Sequence, residues 1–402
     1  MDRINRDQYL SFLKNAKDKQ IIKVVSGVRR CGKSTLLEIF RDYLGNNNVE
    51  ERQIIFINFE DMKFEHLKSY TSLYDYITSL LIPDKMNYIF LDEIQHVANF
   101  EKTVNSLFIN KNCDLYLTGS NAYFMSGELA TLLSGRYIEI KMLPLSYKEF
   151  SIASDNKNSS QTKIEKYNAY LQNSSFPYTL QLTTENEIRT YLQGIYDSVL
   201  LKDIVARLHV HDVLMLESVV KYLFDNIGNV LSTTKISNTM TTNGRKIDQK
   251  TVEKYVKGLM NSLIVYQVKR YNVKGKQHLA SLEKYYIVDI GLRYLLLGKR
   301  STDVGHILEN IIYLELIRRG YEVSVGKVDD LEIDFIATNA NGVTYFQVAA
   351  SVRDEKTLER ELESLRRIPD HYPKYILTLD EDPEADYNGI TRTNALDWLL
   401  KI

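Results

Sequence analysis

Residues 27–35 read Gly-Val-Arg-Arg-Cys-Gly-Lys-Ser-Thr, and no other stretch narrows the fold of this chain so far. The run fits Gly-x-x-x-x-Gly-Lys-Ser, a phosphate-binding loop. Gly27 and Gly32 let backbone amides turn inward around phosphate oxygens. Lys33 supplies a point charge for the β- and γ-phosphates, and Ser34 a hydroxyl for Mg²⁺. Arg30 and Thr35 complete the expected cradle. An apolar, β-rich run at 21–25 precedes the loop and a helical run at 34–43 follows. A strand, loop and helix in that order put the partial positive charge of a helix N-terminus on the anion.

A second element belongs with the first. Residues 88–93 read Tyr-Ile-Phe-Leu-Asp-Glu, a buried parallel strand ending in two acids. Asp92 is expected to hold Mg²⁺ together with Ser34. Glu93 is expected to polarise the attacking water, because cleavage of a γ-phosphate by water needs a positioned base. A chain that only bound nucleotide has no need of Glu93, so the pair favours hydrolysis. Residues 113–120 read as another strand ending in small polar residues, with Thr118, Ser120 or Asn121 placed to contact the γ-phosphate or the water. Arg136, after Leu-Leu-Ser-Gly, suits an arginine finger that neutralises charge in the transition state. A surface ion pair is its alternative role.

Taken in order, Gly-Val-Arg-Arg-x-Gly-Lys-Ser, Phe-Leu-Asp-Glu-Ile-Gln, Leu-Thr-Gly-Ser-Asn, Leu-Ser-Gly-Arg and, at 143–150, Leu-Pro-Leu-Ser-Tyr-Lys-Glu-Phe form a series. It resembles the prokaryotic AAA-type ATP-binding proteins related to archaeal ATPases, over essentially the whole chain. Members of that family carry a C-terminal winged helix and a domain similar to the PD-(D/E)xK nucleases. The resemblance implies an α/β protein with an AAA-type phosphate-loop core binding MgATP. It also implies sheet order 5-1-4-3-2 and Arg136 as the finger, working across a subunit boundary in a homo-oligomer.

Composition excludes little. At 402 residues the chain has room for two to four domains, and a net charge of −1 gives no global pull toward nucleic acid or membrane. Two cysteines, Cys31 and Cys113, offer no disulfide framework. No apolar run approaches the length of a membrane span, so a soluble, cytoplasmic protein is expected.

The expected domains are the core at 1–150, a helical lid at 151–212, a winged helix-turn-helix at 213–296 and a nuclease-like α/β domain at 297–402. Residues 152–165, rich in Ser, Asn, Lys and Asp, read as a loop. In the lid, Lys202 and Arg207 are candidates to approach the nucleotide, and an ordinary solvated helix face is the alternative. In the winged helix, strands at 266–270 and 278–287 are expected to flank a wing. From Lys235 to Lys276 there are ten Lys or Arg against Asp248 and Glu253. Lys250, Lys254 and Lys257 recur at helical spacing, and with Lys274 and Lys276 they are candidates for phosphate contacts on double-stranded DNA. A winged helix used only for packing is the alternative.

The C-terminal domain departs from the nuclease pattern. Such enzymes hold Mg²⁺ with an Asp and a second carboxylate two positions before a Lys. Asp334 is present and Glu309 is placed to assist. The second acid position is Gln347, a neutral and weaker ligand for a hard cation, and the Lys position is Ala349. Cleavage is therefore not expected unless Lys356 or Lys374 has migrated into the role. Three functions stay open: an ATP-driven machine acting on DNA, an ATP-switched protein-interaction scaffold, and an ATP-dependent nuclease with a migrated lysine.

Overall fold

A computed structural model describes residues 3–119, 131–156, 160–275, 277–278, 282–300 and 303–401. The chain divides into two compact units, Met1–Pro144 and Leu145–Ile402.

In the first unit the apolar run before the phosphate loop becomes β1 (Ile22–Gly27), buried along its whole length. A strand so buried needs partners on both edges and cover on both faces. It pairs in parallel with β4 (Cys113–Thr118) and β5 (Tyr137–Met142). β2 (Ile54–Asn58) and β3 (Asn87–Asp92) extend the sheet, whose order is β2-β3-β4-β1-β5, the expected 5-1-4-3-2 read from the other edge. Helices α1 (Asp7–Ala16), α2 (Lys33–Asn46), α3 (Tyr70–Leu80) and α4 (Phe100–Ile109) accompany it. The sheet interior also buries an ion pair, Lys23 with Asp114, whose carboxylate accepts from Tyr116 Oη at 2.8 Å.

The second unit opens with α5 (Tyr147–Asp155), started by a reciprocal capping box between Ser146 and Glu149. Residues 152–155, expected in a loop, are therefore helical. α6 (Lys163–Asn173) and α7 (Glu185–Asp197) follow, then a π-helix at Ser198–Val205. Lys202 lies in that π-helix, and Arg207 just beyond it reaches the Asn261 amide oxygen at 2.8 Å.

Next come α8 (Val213–Asp225), β6 (Val230–Leu231), α9 (Thr233–Thr242) and α10 (Gln249–Asn261), the last two begun by Ser232 and Asp248 caps. β7 (Val265–Val268), β8 (Arg270–Asn272), β9 (Gln277–His278) and β10 (Glu283–Ile287) complete this stretch. β6, β10 and β7 form a small antiparallel sheet.

The expected wing departs from this arrangement. The strand read at 266–270 breaks after Val268. Its continuation, β8, pairs in parallel with β11 (Glu322–Val328), and β9 pairs with β8. The turn between them is thus fastened to an eight-stranded sheet of order β15-β16-β14-β13-β12-β11-β8-β9. An exposed strand edge seeks backbone partners, and β11 satisfies β8.

That sheet contains β12 (Leu331–Asn339) and β13 (Gly342–Ala349), a hairpin turned at Asn339–Gly342, then β14 (Lys374–Thr378), β15 (Ala385–Asp386) and β16 (Ile390–Asn394). α11 (Ile290–Leu297), α12 (Val304–Arg318), α13 (Glu355–Arg366) and α14 (Ala395–Leu400) complete the unit. Among the described residues no helix is long and apolar enough to cross a membrane.

Candidate functional site

The phosphate loop leaves β1 at Gly27 and enters α2 at Lys33. At Gly27 a Cβ would stand 2.4 Å from the Met142 carbonyl oxygen and 2.9 Å from Cys31 Sγ, so no side chain fits. Arg30 (φ 66°) and Gly32 (φ 102°) take left-handed backbone, the turn that brings successive amides to one side. Arg30 and Thr35 are exposed. The outward carbonyls need donors of their own. Arg6, 3% exposed, supplies one: its guanidinium donates to Cys31 O at 3.0 Å and to Leu143 O at 2.7 Å. Nothing in its spacing marks Arg6 in the sequence.

Lys33 is 5% exposed, with Nζ 3.4 Å from Gly27 O and 3.7 Å from Glu93 Oε1. Asp92 and Glu93 stand at the end of β3, next to Thr118 at the end of β4. One hydroxyl organises both acids: Thr118 Oγ1 donates to Asp92 Oδ1 and accepts from the Glu93 backbone N–H at 2.9 Å. That bond holds Glu93 in a left-handed conformation (φ 55°), costly for a residue with a Cβ and typical of functional sites. Gln95 Nε2 donates to Glu93 Oε2 and fixes the carboxylate from the other side. Gln95 lies inside the Asp-Glu-Ile-Gln run, but the run itself assigns it no task.

Asp92 is fully buried, and its Oδ2 has no hydrogen-bond partner. Burial pushes its carboxyl above the ordinary range, against the lowering effects of Thr118 and Ser34 beside it. A buried carboxylate oxygen left unpaired costs free energy unless a cation completes it. The donor set of Asp92, the Ser34 hydroxyl and phosphate oxygens suits Mg²⁺, which takes one or two carboxylates plus substrate phosphates. Gly27, Gly32, Lys33, Ser34, Asp92, Glu93 and Thr118 therefore converge. Ser120 and Asn121 lie outside the described residues.

Arg136 does not join them. The register sets Tyr137 beside Ile22 and Met142 beside Gly27, so Arg136 lies off the edge of the sheet opposite the phosphate loop. It is exposed, with its guanidinium 5.6 Å from the Phe108 ring centroid.

In the second unit, Lys250, Lys254 and Lys257 are exposed on one face of α10, while Val252, Tyr255, Val256 and Leu259 pack inward. Lys274 is engaged elsewhere, 2.7 Å from Asp329 in the turn between β11 and β12. Lys276 lies outside the described residues.

Glu309, Asp334 and Gln347 do come together. Gln347 Oε1 accepts from the Asp334 backbone N–H at 2.7 Å and its Nε2 donates to Glu361 at 2.7 Å. Lys374 donates to the Asp370 backbone carbonyl at 2.8 Å, and Lys356 is exposed, so neither is held in the cluster. The lysine that does reach it is Lys284, from β10. Its sequence position gives no hint of this, because its partners come from elements 25 to 50 residues away.

Residues 19–151 match the family model of the AAA domain, and residues 164–303 match that of a domain of unknown function. An uncharacterized protein of Haemophilus influenzae is 40% identical over 99% of this chain and 99% of its own length. An uncharacterized protein of Methanocaldococcus jannaschii is 27% identical over 90% of this chain and 81% of its own. Among solved structures, the Walker-type ATPase of Pyrococcus abyssi is similar at 15% identity and a TM-score of 0.49, over 73% of this chain and 96% of that one. The phosphate loop, the acid pair and the parallel sheet thus lie within the residues that match the AAA domain, and the chain belongs to the family of the Haemophilus influenzae protein.

Proposed function

We propose that the protein binds MgATP and hydrolyses it to ADP and phosphate. The observation that carries this reading is the buried Asp92 Oδ2, left unpaired beside Ser34 while Thr118 ties down the other oxygen and the Glu93 backbone. Gly27, Arg30, Gly32 and Thr35 belong to the loop that takes the phosphates, and Lys33 neutralises the β- and γ-oxygens. Ser34 and Asp92 would hold Mg²⁺, which when bound supplies further positive charge at those oxygens. Glu93, steadied by Gln95 and Thr118, accepts a proton from the attacking water. Ser120 and Asn121 remain the proposed γ-phosphate contacts. Arg136 from another copy of the chain supplies the remaining positive charge.

Phosphate release and nucleotide affinity, measured on variants, test the reading. Lys33→Ala weakens triphosphate binding because a counter-charge is lost. Glu93→Gln keeps binding and lowers turnover by at least about 100-fold, the usual worth of a general base. Equal turnover in wild type and Glu93→Gln removes Glu93 from this role.

We further propose double-stranded DNA as the partner of the cycle. The observation that favours it over a protein-only scaffold is the row of Lys250, Lys254 and Lys257. All three are exposed, and none is paired with a carboxylate among the described residues. α9 offers an open depression lined by Thr234, Lys235, Asn238 and Thr242. The arrangement of α8, β6, α9, α10, β7 and β10 suits a winged helix, and the α12–β14 stretch suits a nuclease-like fold that does not cut. Both assignments belong to this proposal.

A further inference from the structure

Three acidic side chains of the C-terminal part converge on one buried ammonium. Lys284, 3% exposed, belongs to β10 in the three-stranded sheet. Its Nζ stands 2.8 Å from Glu309 Oε1 on α12, 2.7 Å from Glu332 Oε1 and 3.6 Å from Asp334 Oδ1, the last two on β12 in the eight-stranded sheet. The surroundings are built to hold this arrangement. Tyr286 Oη donates to the same Glu309 oxygen at 2.6 Å, and the Val348 backbone N–H donates to Asp334 Oδ2 at 2.8 Å. Gly228 leaves room for Glu309, whose Oε2 would lie 3.0 Å from a Cβ at that position.

Carboxylate oxygens from two elements around one buried cation are what a hard divalent ion demands. A nuclease-like fold would place Mg²⁺ here, and the residues present do not fit it. Gln347 spends both ends of its amide on protein groups. An ammonium already stands among the three carboxyl groups, and a second cation beside it would meet like charge in a low-dielectric interior. Among the described residues no group of three or more His, Cys, Asp or Glu is arranged to hold a metal ion.

We infer that Lys284 is the resident cation of this cluster: its ammonium fills the place of a divalent ion and fastens the β6-β10-β7 sheet to the eight-stranded one. Burial opposes the charge on Lys284, but Glu309, Asp334 and Glu332 outweigh burial and hold the ammonium above its usual range. The inference does not depend on ATP hydrolysis. It makes the C-terminal domain a module closed by its neighbour's strand.

Mn²⁺ binding to the full chain without nucleotide tests it, read from the free-Mn²⁺ electron paramagnetic resonance signal. Wild type and Asp334→Asn bind the same amount, because the cluster takes no metal. Lys284→Ala removes the ammonium and leaves Glu309, Glu332 and Asp334 to close on a divalent ion, an arrangement they do not have around Lys284. It gains one equivalent per chain, and Lys284→Ala/Asp334→Asn loses that equivalent again. Mn²⁺ raises the melting temperature of Lys284→Ala and leaves that of wild type unchanged. Less Mn²⁺ on Asp334→Asn than on wild type overturns the inference, as does a folded Lys284→Ala that gains none. If Lys284→Ala does not fold even with Mn²⁺, the comparison of wild type with Asp334→Asn decides alone: equal binding upholds the inference and unequal binding overturns it.

Discussion

Single groups in this protein are held by partners that the primary sequence keeps far apart. Thr118 ties the side chain of Asp92 and the backbone of Glu93 with one hydroxyl. Asp334 shows the same principle in its titration. Burial pushes its carboxyl up to about 8, the Glu309 carboxylate adds to the rise, and Lys284 opposes it. Glu332 and Glu361 complete the charged surroundings. The carboxyl titrates near 4 in an unfolded chain. The fold therefore favours the protonated form, and its contribution to stability is fully present below about pH 4 and lost as pH rises through about 8. Asp334→Asn keeps the shape and removes the titration. The melting temperature of Asp334→Asn minus that of wild type should rise between pH 5 and pH 9. A difference that stays flat or falls would mean that Asp334 is ionised throughout.

At the scale of elements, α10 is where charge and packing separate most cleanly. Its apolar residues face inward, and Lys250, Lys254 and Lys257 follow one another along the exposed face. Each lysine that contacts a phosphate adds about 0.9 to the slope of log affinity against log salt. Lys250→Ala, Lys254→Ala and Lys257→Ala together should lower that slope by about 2.7, and reversal of all three to Glu should abolish binding. Melting temperature should hardly move, because none of the three is packed. Absence of wild-type binding at low salt would give the face to a protein partner instead.

The same scale shows what the sequence could disclose. The strand, loop and helix around Gly27 and Lys33 were legible because each signal is local: an apolar run, two glycines, and a helix begun at the loop's end. The caps at Ser232 and Asp248 were legible for the same reason. The sheet order came with the family resemblance rather than from any spacing. β7 and β10 pair as the two expected strands do, but the break after Val268 is not legible in the sequence, because the fate of β8 is decided by the distant edge of β11, next to which Lys274 meets Asp329. The sequence offers Lys356 or Lys374 as a migrated lysine for the carboxylate cluster. Lys284 took the place from β10 because strand pairing, not sequence order, sets which side chains meet.

For the molecule as a whole, Arg136 can complete a nucleotide site only if that site belongs to a second copy of the chain. Five residue steps of β1, about 17 Å of strand, separate its end of the sheet from the phosphate loop. An arginine so placed cannot serve the loop of its own chain, and its exposed guanidinium beside Phe108 is available to a neighbour. If it acts as a finger, Arg136→Ala should lower turnover by about 10³-fold or more with ATP affinity little changed. Turnover per chain should also rise with protein concentration as copies associate. Mixing gives the sharper reading. Lys33→Ala chains lack a working loop but keep Arg136, and Arg136→Ala chains keep the loop. Together they form some interfaces with an intact loop facing an intact arginine, so the mixture should recover part of the activity that neither variant has alone. The melting temperature of Arg136→Ala should match wild type, since the side chain is exposed. Mixtures that never recover, with turnover independent of concentration, would make Arg136 a surface residue and leave the nucleotide site to be completed by its own chain.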